Sequence, residues 1–169
     1  MIQQCLVLIK PDGIVKSLTG NIISLLSELK LKIIGAKMVR VDKKLAEKHY
    51  EKHKGKDFYE GLIKYLTGNM NFHTNRVLAL VYEGENAILI IREHVGDKNP
   101  EIAHPTTIRG KYGRVNSKTG VFENVVHASD TVEEAEREIK IWFNPGEMAS
   151  VIYPTRTEEV VKKELVWAQ

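Results

Sequence analysis

The chain has a single cysteine, Cys5, so it cannot form an internal disulfide. Its longest apolar runs, such as 87–91, fall far short of the roughly 20 residues that a membrane span needs. The N-terminus lacks a basic leader and a small-residue cleavage site, which argues against a secretory signal. These absences predict a soluble protein of the reducing cytoplasm with no membrane partner, in which Cys5 packs in the core.

Neither sign of charge dominates, because 25 Lys and Arg residues face 22 Asp and Glu residues, a net charge of +3. A nucleic-acid partner usually requires a concentrated basic stripe, so that partner is disfavoured. The chain also lacks both common glycine-rich phosphate loops, Gly-x-x-x-x-Gly-Lys-Ser/Thr and Gly-x-Gly-x-x-Gly. If it handles nucleoside triphosphates, it binds them by other means.

The length of 169 residues and the 43% apolar content predict one domain over 1–169 with a proper core. Apolar runs predict strands at 5–9, 33–41, 77–82 and 124–127, and Pro11-Asp12-Gly13 is a turn signal. Helices are predicted from Gly20, at 45–53, 58–66, 87–92 and 155–167, the last with Val160, Val161 and Leu165 inward. Asp130 has the N-cap spacing to Glu133 and opens a helix, whose apolar stripe is Val132, Ala135, Ile139, Trp142 and Phe143.

The stretch 96–120 shows little periodicity and is predicted to be a long functional loop. The order of the remaining elements resembles the split βαβ plan. We therefore predict the α+β fold class, an antiparallel sheet covered by helices on one face.

His127 ends a predicted strand and lies three residues before a predicted helix N-cap. A neutral imidazole is a nucleophile, so His127 is a candidate phosphoryl acceptor. Ser129 and Glu138 could fix which ring nitrogen is free. From the pattern alone, a hydrogen-bonded core or strand-end histidine is the more frequent outcome.

Lys10, Arg92 and Arg109 form a second candidate group, because phosphoryl transfer needs several fixed cations around the phosphate oxygens. Isolated basic residues are more often solvated surface. His49 and His53 have a helical spacing that can bind zinc. No third ligand is evident and lysines surround the pair, so zinc is disfavoured.

The segment Asn124-Val125-Val126-His127-Ala128-Ser129-Asp130 resembles the active-site signature of nucleoside diphosphate kinases, Asn-x-x-His-Gly/Ala-Ser-Asp. Further segments are similar to the same family, in its order: Lys10-Pro11-Asp12-Gly13, His49-Tyr50, Gly61-Leu62-Ile63-Lys64-Tyr65, Asn99-Pro100 and Thr107-Ile108-Arg109-Gly110. The similarity covers about residues 3 to 150. It implies a ferredoxin-like α+β fold and a ping-pong transfer of the terminal phosphate from a nucleoside triphosphate such as ATP to a diphosphate such as GDP, with Mg²⁺.

The resemblance also implies roles for individual residues. His127 would become a pros-phosphohistidine, supported by Ser129 and Glu138. Lys10 would contact the transferring phosphate and the 3′ hydroxyl, with Tyr50 near that phosphate. The remaining nucleotide contacts would come from Arg92, Arg109, Asn124 and Phe58, the last stacking on the base and suiting broad base tolerance. Mg²⁺ would bridge phosphate oxygens with few side-chain ligands, and the protein would be a homo-oligomer, a hexamer rather than a tetramer.

Several positions depart from the family pattern. Lys98 stands where the family has a phosphate-contacting threonine, and Asp57 replaces a proline. The stretches 69–75 and 113–120 look like insertions. The second makes the other wall of the base slot uncertain; counting back from Asn124 assigns it to Val121. We hypothesise that this insertion, centred on 116–120, is a projecting hairpin that alters the pocket rim or the subunit contact.

Two other functions compete with the enzyme. One is a binding or regulatory module on the same fold that keeps the pocket without turnover, and the other is a scaffold. The presence of Lys10, Arg92, Arg109, Asn124 and His127 together disfavours both.

Overall fold

The computed structural model describes residues 1–70 and 72–160. Its strands are β1 (Ile2–Ile9), β2 (Lys32–Arg40), β3 (Arg76–Glu85), β4 (Arg114–Val115), β5 (Phe122–Glu123) and β6 (Val126–Ala128). Its α-helices are α1 (Pro11–Val15), α2 (Thr19–Ser27), α3 (Lys43–His49), α4 (Tyr59–Leu66), α5 (Ala87–Val95), α6 (Ile108–Tyr112) and α7 (Val132–Trp142). Short 3₁₀ helices span Glu51–His53 and Pro145–Glu147. Within the described ranges, no helix is long and apolar enough to cross a membrane.

The main sheet has the order β2-β3-β1-β6, and every neighbouring pair is antiparallel. The register pairs Leu8 of β1 with His127 of β6, which places the candidate nucleophile beside the end of the central strand. The pairing of β2 with β3 shifts between Ile33 and Gly35. The predicted α+β class with an antiparallel sheet is confirmed.

Helices pack on both faces of this sheet. Alternate residues of β1 point to opposite faces, as in any strand: Cys5, Val7 and Ile9 join one core cluster and Leu6 and Leu8 the other. The first cluster contains residues of α2 and α5, and the second contains residues of α3 and α4. The helices expected on one face are therefore accompanied by a second layer, and together they bury residues 5–9 of β1 completely.

Several local predictions need correction. Pro11-Asp12-Gly13 begins helix α1, with proline in its first turn, where the missing N–H is not needed. The N-cap of α7 is Thr131, whose hydroxyl accepts from the Glu134 amide at 3.2 Å, while Asp130 pairs with an arginine instead. Val132 of the predicted stripe is 46% exposed.

The predicted loop 96–120 contains α6 and β4, which are too short to show a period in the sequence. Residues 155–160 are not helical, and Val160 is exposed. The rest of the predicted last helix, with Val161 and Leu165, lies outside the described residues. Asn124 and Val125 precede β6 because Val125 has φ +56°, which no strand residue adopts.

Candidate active site

His127 lies on β6 with its side chain 18% exposed, next to α7. Its Nε2 is 3.0 Å from Oε2 of Glu138, a carboxylate that is almost fully buried. The hydroxyl of Ser129 donates to the same oxygen at 2.6 Å. A carboxylate can only accept, so Nε2 carries the proton and Nδ1 keeps its lone pair. The structure thus brings together the predicted trio of His127, Ser129 and Glu138.

Neighbouring residues keep the Glu138 carboxyl group ionised. Burial raises the pKa of Glu138, but the charge and hydrogen bond of His127, with smaller contributions from His49 and Ser129, outweigh it and hold that pKa at about 2. The histidine is consequently oriented by an ionised acceptor, the arrangement that stabilises positive charge on an imidazole during reaction.

His49 lies directly behind His127, with ring centroids 4.6 Å apart. Trp142 donates from Nε1 to Nδ1 of His49 at 3.2 Å. Burial, and then the charge of His127, hold the pKa of His49 well below its usual value, so its ring is neutral. The sequence predicts His49 as a weak zinc candidate and as part of a family-like segment, whereas in the structure its ring packs against that of His127.

Zinc is not favoured by the geometry. In the part of the chain that the structure describes, the one potential metal-ligating group is His49, His127 and Glu138, and His53 does not belong to it. Hydrogen bonds from Trp142 and His127 already occupy atoms of this group.

Lys10 is the most buried of the candidate cations, with 6% of its surface exposed. Its ammonium donates to Oδ1 of Asn124 and lies 4.7 Å from the centre of the Tyr65 ring. Burial lowers the pKa of Lys10 to about 8; the carboxylate of Asp12 raises it and the positive charge of Arg109 lowers it further. A buried ammonium with few partners is suited to an anionic ligand.

Arg109 is held rigidly at the start of α6. Its guanidinium donates to the carbonyls of Gly96 and Val126, each at 3.0 Å. Burial, and then the nearby charge of Arg92, lower the pKa of Arg109 to about 10. Arg92 is half-exposed and pairs with Asp130. Two guanidinium groups therefore converge beside β6, as binding of phosphate oxygens requires.

Asn124 connects this cationic group to the loop after α5. Its amide nitrogen donates to the Lys98 carbonyl at 2.7 Å, while its oxygen accepts from Lys10. The Lys98 contact seen here is thus made by its backbone, and its side chain is exposed. Of the predicted nucleotide-binding residues, Asn124 and Lys10 are in direct contact, and Arg109 bonds to the Val126 carbonyl, two residues after Asn124.

The turn Asn124–Val126 has a strained centre. Val125 has φ +56°, an outlier for a β-branched residue, and the Val126 amide donates back to the Asn124 carbonyl at 2.6 Å. The Val125 amide donates to Oδ2 of buried Asp12 at 2.9 Å, and the Lys10 amide donates to the Val125 carbonyl at 2.9 Å. The sequence places Asp12 in a turn signal and in a family-like segment, but it does not predict this contact with Val125.

Aromatic side chains lie at the opening of the site. The Tyr50 ring is buried 4.6 Å from that of His49, and burial followed by the charge of Glu138 raises the Tyr50 pKa. Phe58 is 54% exposed and its ring lies 5.5 Å from that of His53. Val121 is half-buried in the β4–β5 hairpin. That Phe58 and Val121 form the two walls of a base slot stays a prediction.

Gly110 sets how closely α6 approaches the preceding loop. A Cβ at this position would lie 2.2 Å from the His104 carbonyl oxygen, a backbone atom that cannot move aside cheaply. We expect Gly110→Ala to lower the unfolding free energy by about 1–3 kcal/mol and to weaken nucleotide binding, because α6 carries Arg109. Urea unfolding and nucleotide titration measure the two effects. Gly61→Ala, which meets nothing within 4 Å, is the control; equal stability of the two variants would contradict this account.

Comparison with known proteins places this site in a family. The sequence profile of the family described as nucleoside diphosphate kinase matches residues 3–148. The chain belongs to the nucleoside diphosphate kinase family. It is 46% identical over 147 residues to the nucleoside diphosphate kinase of Pyrococcus furiosus, covering 87% of this chain and 86% of that protein.

Solved structures of such kinases share the fold. The Aquifex aeolicus enzyme superposes with a TM-score of 0.78 at 30% identity, covering 88% of this chain and 99% of that one. The Borrelia burgdorferi enzyme, solved as a transition-state mimic with vanadate and ADP, gives a TM-score of 0.78 at 32% identity, covering 92% and 93%. The predicted ferredoxin-like fold, nucleotide-binding phosphotransferase class and family are confirmed.

Proposed function

We propose that this kinase transfers the terminal phosphate of a nucleoside triphosphate to a nucleoside diphosphate through a phosphohistidine at Nδ1 of His127. The observation that carries the proposal is the hydrogen bond from Nε2 of His127 to Glu138, which leaves Nδ1 as the only ring nitrogen with a free lone pair. This nitrogen corresponds to the pros position. It attacks the terminal phosphorus, the N–P bond forms, and the P–O bond to the departing diphosphate breaks.

The surrounding residues stabilise the charge that moves during this step. Lys10 follows the strand paired with His127, and Arg109 bonds the carbonyl of the adjacent Val126, so both cations flank the reacting nitrogen. Arg92 exchanges its Asp130 partner for a phosphate oxygen. Tyr50 and Lys98 contribute at the edge of the phosphate site. The reverse reaction, with a second diphosphate attacking phosphorus, regenerates neutral His127.

A Mg²⁺ ion would be held mainly by the phosphates of the nucleotide and would offset part of their charge. Among the described residues, the only group of three potential metal ligands consists of two imidazoles and one carboxylate, which suits Mg²⁺ poorly, so this chain would supply few direct ligands. On the base side, the exposed ring of Phe58 accepts any base by stacking, and Asn124 meets the ribose. Such broad tolerance suits maintenance of nucleoside triphosphate pools.

Protein labelling tests the mechanism. The protein is incubated with Mg²⁺ and γ-labelled ATP without an acceptor, and then with GDP. We expect an acid-labile, alkali-stable phosphoprotein that loses its label to GDP. A protein that binds nucleotide but never becomes labelled would support the binding module instead.

From the family resemblance we further propose a cytoplasmic homo-oligomer, a hexamer rather than a tetramer. Light scattering of the purified protein distinguishes the two assemblies.

The insertion at 113–120 forms the proposed hairpin, with Arg114 and Val115 of β4 paired to Glu123 and Phe122 of β5. Buried Glu123 anchors it by accepting from Arg114, Asn116 and Lys16 at 2.6, 2.7 and 3.2 Å. We propose that it shapes the base end of the pocket or the subunit contact.

Replacing 116–120 by a two-residue turn is expected to change the KM for purine relative to pyrimidine diphosphates by about 3-fold or more, or to change the assembly state. Steady-state kinetics and light scattering measure these effects. Lys118→Ala, an exposed tip residue, is the control. Unchanged affinity, base preference and assembly together would show that the hairpin has neither role.

A further inference from the structure

Asp12 is the one buried carboxylate of the site that the proposed transfer does not use. It is fully buried, its Oδ2 accepts from the Val125 amide at 2.9 Å, and its carboxylate also acts on the hydroxyl of buried Tyr65. We infer that Asp12 is a positioning residue of the phosphate site: its carboxylate holds the Asn124–Val126 turn, and its charge faces the ammonium of Lys10. The inference rests on the proposed phosphohistidine mechanism.

The first part of the inference concerns the turn. A valine at φ +56° is strained and persists only where its surroundings impose this conformation. The contacts that impose the positive φ of Val125 come from the segment after β1. Asp12 accepts from the Val125 amide, and the Lys10 amide donates to the Val125 carbonyl. A Cβ on Gly13 would lie 3.0 Å from that same carbonyl oxygen, so the segment packs directly on the turn.

The turn determines where two site residues point. Asn124 precedes Val125, and its amide links Lys10 to the Lys98 carbonyl. His127 follows two residues after Val125, at the position that reaches Glu138. A relaxed turn would therefore displace the Lys10 partner and the nucleophile together, while leaving the sheet intact.

The second part concerns charge. The groups that face Lys10 are Asp12 from α1, Arg109 from α6, the Tyr65 ring from α4 and the Asn124 amide. Burial and Arg109 both lower the pKa of Lys10, to about 8, and Asp12 opposes them. Asp12 also acts on Tyr65, whose pKa is raised well above its usual value by burial and then by this carboxylate. Removing the negative charge must therefore lower the pKa of Lys10 further.

Asp12→Asn tests the charge with almost unchanged shape, because the amide oxygen can still accept from Val125. The second-order rate constant of protein labelling is measured against pH with γ-labelled ATP well below saturation, so that the profile reports the free protein. In the wild type we expect an alkaline fall with a midpoint near the Lys10 pKa of about 8. In Asp12→Asn this midpoint should move down by roughly one pH unit.

Two further variants control this pH profile. Lys10→Arg stays charged, so it should lose the alkaline fall near this pH and thereby assign the fall to Lys10. Glu28→Gln removes an exposed carboxylate at the end of α2 and should leave the midpoint unchanged. A midpoint in Asp12→Asn equal to that of the wild type would overturn the charge part of the inference, as would a fall that persists in Lys10→Arg.

Asp12→Ala tests the turn, since it removes the acceptor of the Val125 amide. We expect labelling at pH 7 to slow by on the order of 10–100-fold. Adding Val125→Gly should recover much of that rate, because glycine adopts positive φ without strain. A merely structural Asp12 would lower thermal stability without this rescue, so a double variant as slow as Asp12→Ala would overturn the turn part.

The outcomes separate this inference from the proposed function. A wild-type protein that is not labelled on His127 overturns the mechanism itself. A labelled wild type, with an unmoved pH midpoint and no glycine rescue, overturns only the role of Asp12. Circular dichroism confirms that each variant is folded, and the asparagine profile decides the charge part even where the alanine variant fails to fold.

Discussion

Replacing His127 by asparagine is expected to lower turnover by on the order of 10³-fold or more and to abolish phosphoprotein formation. Asparagine fits the site but has no nucleophilic lone pair on nitrogen, so the N–P bond cannot form. Nucleotide affinity should change little, because the cations of the phosphate site, Lys10, Arg92 and Arg109, stay in place. Coupled steady-state assays, acid-quenched labelling and nucleotide titration measure the three quantities.

The matched control is His73→Asn. His73 is an exposed loop residue with φ +50°, a conformation that asparagine adopts readily. The control should label and turn over like the wild type. Normal labelling of His127→Asn would place the phosphoryl group on another residue and remove the basis of the proposed mechanism.

The parts of the fold that were predictable have local signals. The apolar run 5–9 is buried on both sides, and its continuous hydrophobicity follows from the helical layers on both faces. The spacing of Ala135, Ile139 and Trp142 likewise reports the buried stripe of α7. His127 was identified by its motif, not by periodicity, since three residues of β6 carry no measurable pattern.

Other features depend on contacts between distant residues and leave no local signal. Thr131 caps α7 because Asp130 is drawn to Arg92, 38 positions away in the chain. Asp12 meets Val125 across 113 positions. The sequence alone cannot show that Thr131 rather than Asp130 caps α7, because Asp is an equally good N-cap. It also cannot show that Asp12 contacts Val125, because an acid after a strand is usually solvated.

The geometry also divides the site by how firmly each group is held. Arg109 and Lys10 are fixed by the backbone or by buried partners, whereas Arg92 and Phe58 are half-exposed. Under the proposed mechanism, the fixed groups would act on the transition state without reorganising. The exposed groups would then adapt to different nucleotides.

Glu138 is the fixed group whose loss should affect the chemistry most after His127 itself. In Glu138→Ala, the Nε2 proton of His127 and the Ser129 hydroxyl lose their common acceptor, so the imidazole can take either tautomer and orientation. We expect single-turnover labelling to slow by on the order of 10²-fold, and Glu138→Gln to be intermediate because its amide oxygen still accepts. Glu136→Ala, on the same helix but 44% exposed and paired with Lys140, should be unaffected.

The same carboxylate should make stability depend on pH. The pKa of Glu138 falls from 4.5 to about 2 on folding: burial raises it, and the charge and hydrogen bond of His127 lower it by more. Its ionised form therefore stabilises the protein fully above the unfolded pKa near 4.5, and that contribution disappears as pH falls through about 2. Glutamine does not titrate, so the difference in unfolding free energy between wild type and Glu138→Gln should shrink steadily over this window. Urea unfolding at pH 6, 4 and 3 measures it; a difference independent of pH would show that folding does not lower the pKa of Glu138.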